Sequence, residues 1–428
     1  MYIYAHTHTR THTRDSRQFL ASCMPPLIAM TRRWVWTWAA AIATAVLVVV
    51  VAAAAVVVEE KLMVDMTIVP GAASTGAVCL DGSPPAYHVH RGSGAGTGGW
   101  LLHFEGGGWC NDARSCAERA RTSLGSSSLM NKLQAFTGLL SNDPAMNPDF
   151  YNSNRVRMRY CDGGSFAGDS EFGNGSSVIY MRGQRIWDAV IIDLFKKGLA
   201  KAEKVLLSGC SAGGLATFFH CDDLEERLQG VATVKCMSDA GFFLDVDDIS
   251  GHSTVRSFFS GVVALQGARK NLNKNCSDST VNSYQCFFPQ YALQSIRAPY
   301  FILNSAYDVY QFYQNFVPPS SDPRGQWNRC KAAHSACSSS QIATLQGLRS
   351  AMLTALKPFE GASKVGMFIN SCFSHCQSES QDTWFAENSP RLHNKTIAKL
   401  VGDWYFGRTA IQEIDCPYPC DSTCHHFN

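Results

Sequence analysis

Five short apolar runs recur along the chain, each closing on glycine or on small polar or acidic residues: Trp100–Phe104, Lys204–Ser208, Val231–Cys236, Tyr300–Asn304 and Val365–Asn370. Runs of this length predict strands buried on both faces. Between them the apolar period changes to that of a helix. Ile186, Trp187, Val190, Ile191, Leu194 and Leu199 form one stripe over 184–199, and Leu215, Phe218, Phe219 and Leu224 do the same over 212–228. A last helix is expected over 396–406. Strands alternating with helices predict the α/β class, a mostly parallel sheet with helices on both faces. The stretches 266–299 and 318–340 are rich in Asn, Ser, Pro and Cys and read as disulfide-held loops or small helical insertions.

One run differs from all the others. Residues 34–58 are 25 consecutive positions without a charge, preceded by Arg32 and Arg33 and followed by Glu59 and Glu60. The length suits a membrane anchor, the alanines at 52–55 suit cleavage of a secretory signal, and both place the remainder of the chain outside the cytosol. Met30 begins a segment with a more ordinary basic leader. Residues 1–58 are therefore read as a leader and 59–428 as a single domain, with membrane contact only through the apolar run if it is kept.

Composition narrows the functions. Charged residues make up 17% of the 428-residue chain and the formal charge is +2, which excludes a disordered chain and a globally basic nucleic-acid binder. Without the five arginines and one aspartate of 1–58 the body carries −2. Of 17 cysteines only Cys23 lies in the leader. Sixteen in an exported body read as disulfides. The tail bearing Cys416, Cys420 and Cys424 lacks the paired spacing of a zinc site, so no metal and no cofactor is expected. Sequons at Asn174, Asn275 and Asn394 are candidate glycosylation sites and agree with export.

The chemistry centres on Gly209-Cys210-Ser211-Ala212-Gly213, a G-x-S-x-G pattern that follows a predicted strand and opens a predicted helix. That context raises the Ser211 hydroxyl as a nucleophile and leaves the Ala212 amide at a helix start. Chain order in such enzymes runs serine, acid, histidine. Asp308 follows the better strand and Asp239 is the alternative acid. His375, flanked by Cys372 and Cys376, is the candidate base, with His334 and His393 as alternatives; a bridge from either cysteine would fix its loop. Glu105-Gly-Gly-Gly-Trp109 follows the first predicted strand and offers the Gly108 and Trp109 amides, with that of Ala212, to an oxyanion. Arg155, Arg157 and Arg159 alternate along an extended stretch, so that one face could meet carboxylates, and are read in preference as a structural salt-bridged edge.

GGGWCN (106–111), SGCSAGGLA (208–216), SDAGFFLD (238–245), QCFFPQY (285–291), FILNSAYDVYQF (301–312) and SCFSHCQ (371–377) together resemble the plant pectin acetylesterases, a family similar to the Notum-type carboxylesterases. The resemblance spans about Val69 to Cys424. It implies an α/β-hydrolase-like fold, secretion to the cell wall, and hydrolysis of acetyl esters on the galacturonan of pectin, with acetylated pectin as the partner and a monomer expected. It also implies Ser211, Asp308 and His375 as a triad, with Gly108, Trp109 and Ala212 as oxyanion donors. Two other readings stay open: a Notum-like deacylase of a lipid-modified protein, which needs a deep apolar cavity, and a catalytically idle carbohydrate-binding protein.

Overall fold

A short apolar run does not specify its neighbours in a sheet; the computed structural model, which describes residues 61–173, 178–278 and 282–424, does. Ten strands form one sheet: β1 Leu62–Ile68, β2 Ala86–His90, β3 Gly99–Phe104, β4 Leu133–Phe136, β5 Asn154–Met158, β6 Lys204–Cys210, β7 Thr233–Asp239, β8 Tyr300–Ser305, β9 Val365–Asn370 and β10 Gln412–Ile414. Their order is β10-β9-β8-β7-β6-β3-β5-β2-β1-β4. From β10 to β5 every pairing is parallel. The remaining three strands are antiparallel.

All five predicted strands lie in the parallel part, and the sheet is mixed, as an α/β fold allows. Residues two apart point to the same face. Leu102, Phe104, Val205, Leu207, Ile302, Met367 and Ile369 join one core, with α2 (Gly183–Lys196), α3 (Ala212–Arg227), α4 (Thr254–Gln266) and α5 (Ser339–Leu356). Their neighbours Leu101, Leu206, Phe301, Leu303 and Phe368 join the other, with Trp384, Phe150 and α6 (Ile397–Tyr405). Burying each such side chain contributes about 1.5–3 kcal/mol. A one-residue slip would exchange the two cores, so register is strongly fixed.

The predicted insertions are short helices and turns closed by Cys276–Cys286 and Cys330–Cys337. The other bridges are Cys79–Cys161, Cys110–Cys116, Cys210–Cys376, Cys221–Cys236, Cys372–Cys424 and Cys416–Cys420, so every cysteine of the body is paired. The tail sulfurs a zinc ion would need are thus bonded to one another or to Cys372. The edge expected for the arginine stretch is corrected: β5 sits between β3 and β2, inside the sheet. Among the described residues no helix is long and apolar enough to cross a membrane. The run at 34–58 and the sequon at Asn174 lie outside the described residues, whereas Asn275 and Asn394 are exposed.

Candidate active site

Parallel strands deliver their carboxyl ends to one edge of the sheet, the usual place for a ligand site in such folds. Here β3 delivers Glu105 and the glycines, β6 delivers Ser211, β7 ends at Asp239, and β8 and β9 lead into the loops carrying Asp308 and His375. A cleft of about 540 Å³ opens there, lined by Gly106 to Trp109, Ser211 and His375, with Glu105, Arg119, Arg157, Tyr310 and Glu379.

Ser211 sits at φ 58°, ψ −122°, a backbone conformation that costs of order 1–3 kcal/mol for a residue other than glycine. Packing holds it there. A Cβ on Gly209 would meet the Gly213 carbonyl oxygen at 2.3 Å, one on Gly213 the Phe104 carbonyl oxygen at 2.3 Å, and one on Gly106 the Cys210 carbonyl oxygen at 2.5 Å. The Ser211 amide donates to the Asp239 carbonyl at 2.9 Å, while its own carbonyl accepts from the Leu215 amide in α3 at 2.8 Å. The two motif glycines are therefore a condition of the strand–turn–helix closing at all.

Asp308 is buried. Its Oδ2 lies 2.6 Å from His375 Nδ1, and its Oδ1 accepts from the Gln311 amide at 2.9 Å. Burial works against a charged imidazole, but Asp308 outweighs it, helped by Asp239 and Glu379, and holds the His375 pKa above the ordinary histidine value. An Nδ1–H pointed at a carboxylate leaves Nε2 free to accept a proton. Tyr310 stacks on the His375 ring with centroids 5.5 Å apart. Cys210, next to Ser211, is bonded to Cys376, next to His375. Their sulfurs and a ring nitrogen of His375 lie within 4.8 Å of one another. Serine and imidazole thus share a cleft and a covalent tie. Among the described residues no hydrogen bond joins them, and contacts of this kind commonly tighten when substrate binds.

The alternatives are placed elsewhere. Asp239 braces the loop after His375: its Oδ2 accepts from the Ser378 amide and hydroxyl at 2.6 Å each, and burial pushes its carboxyl up to about 6. His393 is exposed and pairs with Glu413 at 2.8 Å. His334 is buried flat against Phe373, with ring centroids 4.0 Å apart.

Gly107 and Gly108 take φ of 138° and 67°, which turns the loop over the cleft. A relay that sequence reasoning missed ties this loop to the start of α3. The Tyr160 hydroxyl donates to the Gly108 carbonyl at 2.8 Å, Trp109 Nε1 donates to Ser165 Oγ at 2.7 Å, and Ser165 Oγ donates to the Ala212 carbonyl at 2.7 Å. The amides of Gly108, Trp109 and Ala212 have no partner among the described residues. Beneath the cleft, Glu105 pairs with Arg159 at 2.9 Å and Arg157 at 3.7 Å, and Glu379 pairs with Arg157 at 3.2 Å and His103 at 2.9 Å. Burial opposes a charged Glu379, but Arg157 and His103 bring its carboxyl down to about 2. Glu379 and Tyr310 lie four and two residues beyond the predicted His375 and Asp308, so proximity along the chain was the one available signal for them.

Residues 57–425 match the family model described as pectinacetylesterase. Pectin acetylesterase 5 of Arabidopsis thaliana is 47% identical over 374 residues, covering 87% of each chain. The palmitoleoyl-protein carboxylesterase NOTUM of Mus musculus is 29% identical over 59% of this chain and 53% of its own. Among solved structures, the Wnt deacylase Notum from Drosophila superposes with a TM-score of 0.71 at 20% identity, over 85% of this chain and 100% of that one, which shows a shared fold. This chain belongs to the pectinacetylesterase family and is a carboxylic ester hydrolase.

Proposed function

We propose that the chain is an exported, glycosylated esterase that removes acetyl groups from pectin, with Ser211 as nucleophile, His375 as base and Asp308 as the carboxylate that orients it. The observation that carries this reading is the Asp308–His375 pair, covalently tied through Cys376 and Cys210 to a strained serine in the same cleft. His375 takes the Ser211 proton as Oγ attacks the ester carbonyl, and Asp308 holds the tautomer and the imidazolium charge. The amides of Gly108, Trp109 and Ala212 receive the oxyanion. The imidazolium returns the proton to the departing sugar oxygen, and water, activated by the same imidazole, clears the acetyl-enzyme. Losing one such donor typically costs about 3 kcal/mol of barrier.

An acetyl group on a sugar suits this cleft better than a long lipid chain. Four of its lining side chains, Glu105, Arg119, Arg157 and Glu379, are charged, whereas a long acyl chain calls for a deep apolar cavity. Eight disulfides among the described residues favour an oxidising compartment, which supports export to the cell wall. The test is acetate release from acetylated pectin, beside acetylated xylan and a long-chain acyl ester. Wild type should prefer pectin, and Ser211→Ala should lose turnover by roughly a million-fold while keeping its melting temperature. Unchanged turnover in the variant would remove the mechanism; faster cleavage of the long-chain ester would favour a lipid deacylase.

A further inference from the structure

Three arginines stand in or under the cleft, and two are neutralised. Arg157 and Arg159 face Glu105 and Glu379, so this group of four carries no net charge. Arg119, the last residue of the short helix α1 (Ala113–Arg119), is different. Its Nε donates to the Leu124 carbonyl at 3.0 Å and its Nη1 to the Gly107 carbonyl at 2.8 Å, while its guanidinium lies over the Tyr160 ring, 4.9 Å from the centroid. Its Nη2 is shielded from water and has no hydrogen-bond partner among the described residues. No described carboxylate forms an ion pair with it. Asp162 is near enough to feel its charge, but uses its own Oδ2 to accept from the Gly164 and Phe166 amides, and burial holds that carboxyl up at about 6.

The result is a fixed cation, braced by two backbone carbonyls and an aromatic face, lining the cleft with no acid in ion-pair contact among the described residues. Nη1 gives one proton to Gly107 and keeps a second. Gly107 adjoins Gly108, a proposed oxyanion donor, so this charge and the acyl site share one loop. A guanidinium held this way pairs best with a carboxylate. The body as a whole is nearly neutral, so steering by overall charge does not supply an equivalent attraction.

We propose that Arg119 reads the free carboxylate of a uronate sugar at or beside the acetylated one, so that acetyl esters flanked by free uronates are cleaved faster than those on methyl-esterified or neutral chains. This rests on the acetylesterase reading and adds a specificity residue to it. The experiment compares kcat/KM of the full chain on acetylated oligogalacturonides in free-acid and methyl-esterified form, with phenyl acetate as a neutral ester. Wild type should favour the free acid by about tenfold or more, mainly through KM, and salt should shrink the preference. Arg119→Gln should bring the ratio near one and Arg119→Lys should retain part of it. Any damage to the glycine loop slows both oligomers and phenyl acetate alike, and divides out of the ratio.

A wild-type ratio near one, or a ratio undiminished in Arg119→Gln, overturns the assignment. Should Arg119→Gln not fold, the wild-type ratio and its loss with salt decide alone. Phenyl acetate separates the two claims. If it is cleaved and both oligomers are cleaved equally, only the role of Arg119 falls. If wild type cleaves none of the three, the esterase reading falls and takes this one with it.

Discussion

The two sides of the cleft are held by different means. Ser211 stands on a turn between β6 and α3 where backbone approaches backbone, and three glycines leave no room for a Cβ. His375 stands on an irregular loop after β9, held by disulfides at Cys372 and Cys376, by Asp308, and by the brace from Asp239 to Ser378. Regular structure can fix a serine through main-chain packing alone. A loop without ladder hydrogen bonds needs covalent and ionic ties to offset the entropy of ordering it, roughly 1–2 kcal/mol for each residue. Backbone packing and side-chain ties respond differently to damage, so the serine side should lose its fold and the imidazole side its rate.

The largest effect is expected on the serine side. Gly213→Ala would gain about 1 kcal/mol of helix propensity. Its Cβ, however, would lie 2.3 Å from the Phe104 carbonyl oxygen and 2.8 Å from that of Glu105. Backbone cannot yield as a side chain does, so the clash wins, with a net loss of roughly 2–4 kcal/mol seen as a lowered melting temperature or failed expression. A variant as stable as wild type would contradict this picture of the turn.

The imidazole side should lose rate before it loses fold. Cys210→Ser with Cys376→Ser opens a link spanning 166 residues while the other bridges stay closed. Turnover of a neutral acetyl ester should fall about ten- to a hundredfold, as expected when a catalytic group drifts by an ångström, with a melting shift of only several degrees. Unchanged turnover would show that the bridge does not position His375.

The smallest effect is a shift in pH dependence. As the proposed base, His375 must be neutral to act, and Asp308, Asp239 and Glu379 together outweigh burial to hold its pKa above 6.5. kcat/KM should therefore rise with pH and reach half its limit above 6.5. Glu379→Gln removes one of those negative charges and leaves Arg157 less compensated; both changes favour the neutral imidazole, so the profile should move to lower pH. A profile that stays put or moves upward would contradict these electrostatics.

The same contrast marks how much was legible in the sequence. Continuous apolar runs closed by glycine or by small polar or acidic residues announced β3 and β6 to β9, because burial on both faces leaves a local signature. β1, whose residues are half-exposed, and the short antiparallel strands β2 and β4 left none strong enough to read. The helix α5 begins on a capping box of Ser338 and Gln341 and buries Leu345, Leu348, Met352 and Leu356 at helical spacing, but Ile342, Leu353 and several alanines on its other faces blur that stripe in the sequence. Ser211, Asp308 and His375 could be chosen because the G-x-S-x-G turn is local and the other two follow strands. Tyr160, Ser165 and Arg119 matter only through tertiary approach, which no spacing encodes, and Glu379 was signalled only by lying close after His375. The same holds for the bridges: Cys110–Cys116, Cys276–Cys286 and Cys330–Cys337 join near neighbours, whereas Cys372 and Cys376, four residues apart, reach separately to Cys424 and Cys210.

Both sides of the cleft serve one proposition, that a single serine activated by a single imidazole carries the ester chemistry. The decisive test is a fluorophosphonate probe followed by peptide mass analysis. A single adduct is predicted on the peptide containing Ser211, formed in step with loss of acetate release, absent in Ser211→Ala and strongly slowed in His375→Ala. Complete inactivation with the adduct on another residue, or a fully labelled Ser211 in a protein that still releases acetate, would contradict it.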